Sequence, residues 1–347
     1  MSGGVDSSVA AGLLLEQGHE VVGVTLKLWG GVSDSGCCSV ADVDDARRVA
    51  QTLGIDHHIF NYTDEFNAHV VEPFVRAHAQ GTSPNPCIEC NRHIKFDVLF
   101  DRARRLGFDA VATGHHAQVL DRSGEHQLAR GVDEQKDQSY VLGYLQEAQL
   151  ASLLLPIGAM NKNEVRVHAQ RLGLRTWDKP DSQDVCFIEA SKGREAFLRQ
   201  RVTLTRATIV ERTTGEVLGE TDAAELMTVG QRRGIAPGRD GEKRYVAHVD
   251  VARGRVDVGR LEDVLITSLS LVESSLSFTH AEVVHGHQVL AQWSAHGRSS
   301  LATVVRDQGW TLQLREPARP VAPGQTVVMY RADEPSIVVG AAIVASP

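Results

Sequence analysis

Ser2-Gly3-Gly4-Val5-Asp6-Ser7-Ser8 stands at the head of the chain, and its reading decides the rest. Two adjacent glycines reach backbone angles closed to other residues, so their amides can curl into a concave nest for an anion. Ser7 and Ser8 add hydroxyl donors. The apolar run Val9-Ala10-Ala11-Gly12-Leu13-Leu14-Leu15 predicts a helix whose positive N-terminal end faces the same nest. That combination suits a pyrophosphate, with Asp6 a ligand for an accompanying magnesium ion. A turn that merely caps a helix is the plainer reading of a bare Gly-Gly pair. The intact Ser-Gly-Gly-x-Asp-Ser string favours phosphate. A phosphate loop ordinarily follows a buried strand, yet Met1 directly precedes Ser2. Either the fold lacks that strand or the protein begins upstream of Met1.

Outward from this loop, residues 1–200 alternate extended and helical patterns. Glu20 to Trp29 is β-branched and apolar enough for a buried parallel strand. Asp42 to Leu53 spaces Val43, Ala46, Val49, Ala50 and Leu53 for one helical face. Ile55 to Tyr62 reads as the next strand, with helices over 64–80 and 94–106 and a strand from Phe108 ending at Thr113-Gly114-His115. This rhythm predicts an α/β domain with a doubly wound parallel sheet, whose ligands bind beyond the carboxyl ends of the strands, near Gly3-Gly4, Trp29-Gly30 and Thr113-Gly114. From Thr203 onward short Val/Ile/Thr runs are broken by Gly and Pro, as at Ala207–Glu211, Tyr245–Val251, Arg255–Val258 and Thr326–Tyr330. That is an all-β pattern. The expected domains are 1–200, then a small β-domain over 201–262 and a C-terminal β-barrel over 263–347.

With 347 residues the chain is long enough for several cores. No apolar run reaches the roughly 18 residues of a membrane helix, and no signal segment opens the chain. The expectation is a soluble, cytoplasmic protein. A net charge of −8 weighs against a nucleic-acid partner, although residues 201–262 are balanced, with 11 Lys+Arg against 10 Asp+Glu. The five cysteines, Cys37, Cys38, Cys87, Cys90 and Cys186, are odd in number and confined to the first domain. In a cytosolic chain that favours catalysis or metal binding over a disulfide framework. Cys87-Ile88-Glu89-Cys90 falls in a loop stiffened by Pro84 and Pro86, before a helix expected to begin near Asn91. A thiol at a helix N-terminus is eased toward the thiolate. The pair alone fits a redox couple, half a metal site or two core cysteines. Cys37-Cys38 read as structural or accessory, as does Cys186 taken alone. His115 ends a strand, where a functional role is open.

Six strings occur in order. After Ser2–Ser8 come Asn85-Pro86-x-x-x-Cys90-Asn91-x-x-Ile94-Lys95-Phe96 and Ala112-Thr113-Gly114-His115. Then follow Lys136-Asp137-Gln138-Ser139-Tyr140, Asp181-Ser182-x-x-x-Cys186-Phe187-Ile188 and Val229-Gly230-Gln231-Arg232-Arg233-Gly234. The first resembles the PP-loop of ATP pyrophosphatases, which adenylate an oxygen with release of pyrophosphate. The ordered set resembles the tRNA 2-thiouridylases over essentially the full length.

The resemblance implies ATP-dependent replacement of the carbon-2 oxygen of a wobble uridine by sulfur from a cysteine persulfide. It implies that Met1, Ser2, Gly3, Gly4, Val5, Asp6, Ser7 and Ser8 hold ATP with magnesium, that Leu26 contacts adenine through its backbone and that Gly114 lines the nucleotide site. Cys90 matches the nucleophile and Cys186 the persulfide carrier. Asn85, Pro86 and Cys87 fall where the target base is held. His115, Lys136, Asp137, Gln138 and Gln325 match tRNA-contact positions. The implied partners are the tRNA anticodon arm and a persulfide donor such as a cysteine desulfurase or relay protein. Two positions depart from the family pattern. Cys87 stands where an aspartate is expected, so Cys87, Cys90 and Cys186 form an alternative ligand set for a 4Fe–4S cluster with one iron open to sulfide. Ser294-Ala295 replaces a more basic pair, with His296 and Arg298 nearby. Two further readings stand beside this one: an ATP pyrophosphatase with an amide or lysidine product, and an RNA-binding module with a vestigial PP-loop.

Overall fold

The computed structural model of the protein describes residues 1–29, 40–181, 185–189, 191–279 and 283–346. Gly30, Cys37, Cys38 and Ser182-Gln183-Asp184 lie outside the described residues. The chain divides into two compact units. The first comprises Met1–Val71, Cys87–Ser191 and Ser336–Val339, and the second Glu72–Pro86, Lys192–Pro335 and Gly340–Pro347.

In the first unit, helix α1 spans Val5–Glu16 rather than starting at Val9, because Gly4 takes an extended conformation (φ −95°, ψ 167°) and serves as its N-cap. Asp6, Ser7 and Ser8 therefore belong to the first turns of α1. The helix is apolar around most of its circumference, with Val5 and Ser8 to Leu14 buried, which marks a core helix. Strand β1 (Gly23–Lys27) pairs in parallel with β2 (His57–Asn61), from Gly23 opposite His57 to Lys27 opposite Asn61. Helix α2 (Val40–Leu53) lies between them in the chain. Both strands are shorter than their sequence patterns. Met1 lies alongside β1, its amino group donating to the Val24 carbonyl and its own carbonyl accepting from Thr25 Oγ1 at 2.7 Å. A second parallel pair joins Val111–Ala112 to Leu153–Leu154. An antiparallel hairpin, Ala117–Arg122 with Glu125–Arg130, follows the first of these strands. The helix–strand alternation and parallel pairing are those of the expected α/β class; the hairpin was not foreseen.

The core beneath the loop is built from Val5, Val9, Ala10 and Leu13 of α1, Val49 of α2, Ile157, and Val165, Ala169 and Leu174. The helix expected to begin near Asn91 begins at Pro86 instead. Pro86–Glu89 forms the first turn, Cys90–Val98 continues in wider π-helical turns, and Leu99–Arg105 closes as an ordinary helix. Proline is well suited to the first helical position, since its missing N–H would have no intrahelical partner.

In the second unit, four strands pair in the order Val217–Thr221, Ala207–Glu211, Arg255–Gly259, Tyr245–Asp250. Ile209, Val246, Val256 and Val258 are among the apolar side chains that close their core. Buried Arg244 bonds Glu211 there. A seven-stranded sheet of mainly antiparallel pairs follows, from Ile266–Leu271 at one edge to Ser277–Phe278 at the other. The single turn Leu261–Val264 separates the two sheets in sequence.

Ile157 is fully buried among α1 and the helix Lys162–Arg171. Truncating it to alanine is expected to cost about 2–5 kcal/mol through lost transfer energy and the cavity left behind. Urea unfolding of Ile157→Ala against the parent checks this.

Candidate active site

The Ser2–Ser8 loop is held from three sides. Gly3 has φ +72°, and a Cβ there would lie 2.2 Å from the Asp42 carbonyl oxygen at the start of α2. Gly114 would place a Cβ 2.5 Å from both the Asp6 carbonyl carbon and the Ser7 nitrogen. Only glycines let these three backbones approach so closely. Lys179 completes the frame, its ammonium reaching Gly3 O at 3.0 Å, Asp42 Oδ1 at 2.7 Å and Asp45 Oδ2 at 2.8 Å. Burial would lower the Lys179 pKa, but the two carboxylates outweigh it and raise it.

Within the loop, Ser7 Oγ accepts from Ser2 N at 3.0 Å, and buried Ser8 turns inward, donating to Gly4 O at 2.7 Å. No side chain caps α1. Its first amides and macrodipole therefore face a position suited to an anion.

Asp6 sits in a line of alternating charge that the sequence reading missed. Lys162 Nζ is 2.8 Å from each Asp6 carboxylate oxygen and 2.7 Å from Asp181 Oδ1. Lys136 Nζ lies 2.7 Å from Asp181 Oδ2, and His116 Nε2 is 3.3 Å from Asp6 Oδ1. Burial works to raise both carboxyl pKa values. Hydrogen bonds from His116 and Lys162 reverse this at Asp6, and those from Lys136 and Lys162 bring Asp181 down to about 2. His115 is buried beside Phe96, its Nδ1 2.8 Å from Thr113 Oγ1. Burial, with Lys95 and His116 nearby, drives its pKa well down, so the ring is neutral at pH 7.

The remaining site residues are placed as follows. Leu26 lies on β1, half-buried. Cys87 is exposed in the first helical turn after Pro86, whereas Cys90 is buried one turn further in. The helix-terminus argument made for Cys90 therefore does not hold. Cys186 is half-buried, and the adjacent Phe187 ring packs 5.8 Å from Phe66 and 6.2 Å from Trp29. Phe66 ends the helix Thr63–Phe66, which packs on the Cys90–Val98 stretch, so both thiol segments border one aromatic cluster.

Asp137 is buried and accepts from Arg130 Nη1 at 2.8 Å, Gly131 N at 3.0 Å, and Ser139 N and Oγ at 3.0 and 2.9 Å. It shapes the turn that carries Lys136 and Gln138. Gln138 in turn exchanges hydrogen bonds with the His116 backbone. In the second unit Gln325 donates to Ser83 O, and Ser83 N bonds Pro323 O at 2.9 Å, which fixes the strand of chain entering Asn85-Pro86. His296 and Arg298 are exposed.

A magnesium ion at Asp6 would share a half-buried carboxylate whose two oxygens both bond Lys162 Nζ at 2.8 Å, so it would be held chiefly by phosphate oxygens and water. A three-sulfur iron site fits less well. Among the described residues no three His, Cys, Asp or Glu side chains gather closely enough to hold a metal. Cys87, Cys90 and Cys186 are thus not set as a ready cradle.

The loop, the parallel pairing and the two β sheets define a HUP-domain protein of the PP-loop type with appended β domains. Family models agree: a tRNA methyl transferase HUP domain matches residues 1–190, a tRNA methyl transferase PRC-barrel domain 195–260, and an aminomethyltransferase beta-barrel domain 292–344. The tRNA-specific 2-thiouridylase MnmA of Chloroflexus aurantiacus is 43% identical over 355 residues, covering 100% of this chain and 97% of that protein. Those of Mycolicibacterium gilvum and Mycolicibacterium smegmatis are 45% and 44% identical, each spanning 96% of this chain and 94% of its own. The chain belongs to the MnmA family of tRNA-specific 2-thiouridylases.

Two outcomes follow from the site geometry. Gly114→Ala would force the Asp6–Ser7 backbone to move and is expected to weaken ATP binding at least about tenfold, about 1.4 kcal/mol, as read by calorimetric titration. The depressed pKa of Asp181 contributes stability that is present above its ordinary value of 3.8 and lost as pH falls toward about 2. Thermal melts of Asp181→Asn between these pH values are expected to show a shallower acid limb than the parent.

Proposed function

We propose that the protein is an ATP-dependent tRNA 2-thiouridylase acting on the wobble uridine of the anticodon arm. The observation that carries the reading is an uncapped helix N-terminus abutted by Gly114, in one compact unit with the thiols of Cys90 and Cys186. ATP phosphates bind along Met1 to Ser8, where the α1 amides and the Gly3-Gly4 turn accept negative charge. Leu26 meets adenine through its backbone, and Gly114 closes the floor of the site. Magnesium, held by Asp6 together with the phosphate oxygens, would supply neutralisation of charge on the departing pyrophosphate.

The chemistry runs in two displacements. The carbon-2 oxygen of uridine attacks the α-phosphorus of ATP, forming an O-adenylated base and expelling pyrophosphate. That turns a poor leaving oxygen into part of AMP. The outer sulfur of a Cys186 persulfide then attacks carbon 2, releasing AMP and leaving the base joined to Cys186 through a disulfide. Cys90 thiolate attacks the Cys186 sulfur, so the S–S bond to the base breaks and 2-thiouridine departs. A Cys90–Cys186 disulfide remains, and an external dithiol reduces it. The persulfide is replenished by a donor such as a cysteine desulfurase or relay protein.

Asn85, Pro86 and Cys87 hold the flipped base, since an anticodon base is single-stranded and open to extrusion. Lys136 and Gln138 contact tRNA from the turn that Asp137 shapes, buried His115 backs that surface through the neighbouring His116 backbone to which Gln138 bonds, and Gln325 contacts tRNA from the second unit. The reaction belongs in the cytoplasm, where thiols stay reduced; no helix among the described residues is long and apolar enough to cross a membrane. Methyl transfer, named in the descriptions of the matching family models, would use neither a pyrophosphate loop nor paired thiols.

The purified protein, given tRNA, ATP and a persulfide donor, is expected to release pyrophosphate and form 2-thiouridine, read by mass spectrometry of the nucleosides. Cys90→Ser and Cys186→Ser are each expected to lower 2-thiouridine by at least about 10³-fold while ATP affinity stays within about twofold. Full thiolation by either variant would remove that residue from the mechanism.

A further inference from the structure

The two carboxylate oxygens of Asp6 are not equivalent. Lys162 Nζ lies 2.8 Å from each, but among the described residues only Oδ1 has a second donor, His116 Nε2 at 3.3 Å. That donor belongs to a residue with little freedom. His116 is 2% exposed, its N–H donates to Gln138 Oε1 at 2.9 Å, and its carbonyl accepts from Gln138 N at 2.8 Å. Two glycines close on the same stretch. A Cβ at Gly131 would lie 2.6 Å from the His116 carbonyl oxygen, and one at Gly158 would overlap the Ala117 carbonyl. Two residues earlier, Gly114 abuts the peptide that joins Asp6 to Ser7, so the ring and the carboxylate are set from a single frame. The Nδ1 atom of His116 is buried and has no hydrogen-bond partner among the described residues. Leaving a buried polar atom unpaired costs about 1–3 kcal/mol. An apolar side chain of similar size would avoid that cost, so packing alone does not account for the ring.

We propose that His116 is a positioning residue of the nucleotide site: it keeps hold of Asp6 Oδ1, so that Oδ2 is the oxygen Lys162 surrenders to the divalent cation arriving with ATP. The proposal rests on the reading of the Ser2–Ser8 loop as the ATP site of a thiouridylase. Lys162 spans both oxygens evenly and by itself does not choose between them. It can give up Oδ2 and stay paired, because its ammonium also bonds Asp181 Oδ1 at 2.7 Å. The carboxylate is then still held through Oδ1 and does not turn about its Cβ–Cγ bond. Hydrogen bonds that orient a metal-ligating group in this way are worth about 10–100-fold in metal affinity. Without the His116 donor, the carboxylate would be free to turn once Lys162 yields.

Three full-length variants test this with manganese(II) as the probe, in the presence of the non-cleavable α,β-methylene analogue of ATP and without tRNA. His116→Gln keeps a donor where Nε2 stands, His116→Asn moves it back to the Nδ1 position, and His116→Met removes it. The free-ion signal in electron paramagnetic resonance reads the affinity. Manganese is expected to bind about tenfold more weakly to His116→Asn and His116→Met, while His116→Gln restores the parent's affinity. Affinity for the analogue in excess EDTA is expected to match the parent's in all three, which reports an intact loop. Parent-like manganese affinity in His116→Asn or His116→Met, or a loss in His116→Gln as large as theirs, would overturn the proposal. Failure of the parent to release pyrophosphate with tRNA would overturn the thiouridylase reading instead, and the manganese titration would still judge His116.

Discussion

Everything near the nucleotide loop depends on three backbones meeting without side chains between them. Gly3 lies on the carbonyl of Asp42, and Gly114 lies on the peptide between Asp6 and Ser7. These contacts bring the start of α1, the start of α2 and the end of the Val111–Ala112 strand to one point. Only then can Lys179 span from Gly3 to Asp42 and Asp45, and Lys162 reach Asp6. The charged groups lock a geometry that steric absence makes possible. Without the close approach, the same lysines would be solvated surface cations worth little.

The loop was legible in the sequence because its physics is local. Two glycines, two serines and an apolar run name a nest and a helix without reference to the rest of the chain. The parallel strands were legible in kind though not in length, since β-branched patterns run past the residues that actually pair. Lys162 and Lys179 were not legible. Their roles arise from contacts 156 and 176 positions away along the chain, and nothing in Asn161-Lys162-Asn163 announces a buried ammonium. The helix start at Pro86 did carry a local signal, proline at a first helical position, but the prolines were read as loop stiffeners. That choice misplaced Cys90 at a helix terminus, when Cys87 occupies the first turn.

The net charge of −8 also misled as a guide to partners. A whole-chain sum says nothing of where the charges lie. Asp6, Asp42, Asp137 and Asp181 pair within the fold with Lys162, Lys179, Arg130 and Lys136, acid against base, so these pairs leave the sum as it was. A net negative chain and a polyanionic partner are compatible when the local surface, not the total, sets the contact.

The wide turns of Cys90–Val98 pack against a second such stretch, Asn67–Val71, with the His69 and His93 rings stacked 5.2 Å apart. A π-helical turn carries more residues than an α turn and arises when a helix gains a residue between ends that stay put. Length is therefore a functional coordinate here in the same sense as identity. A single deletion between Cys90 and Val98 would let the coil tighten toward ordinary α turns with its ends in place. Any residue lost or gained beyond what the wide turns absorb would swing the upstream turn by about 100° about the helix axis, and Cys87 and Cys90 with it, while every residue type in the motif stayed the same. The spacing from Cys90 to Phe96 is thus as much a part of the motif as its letters.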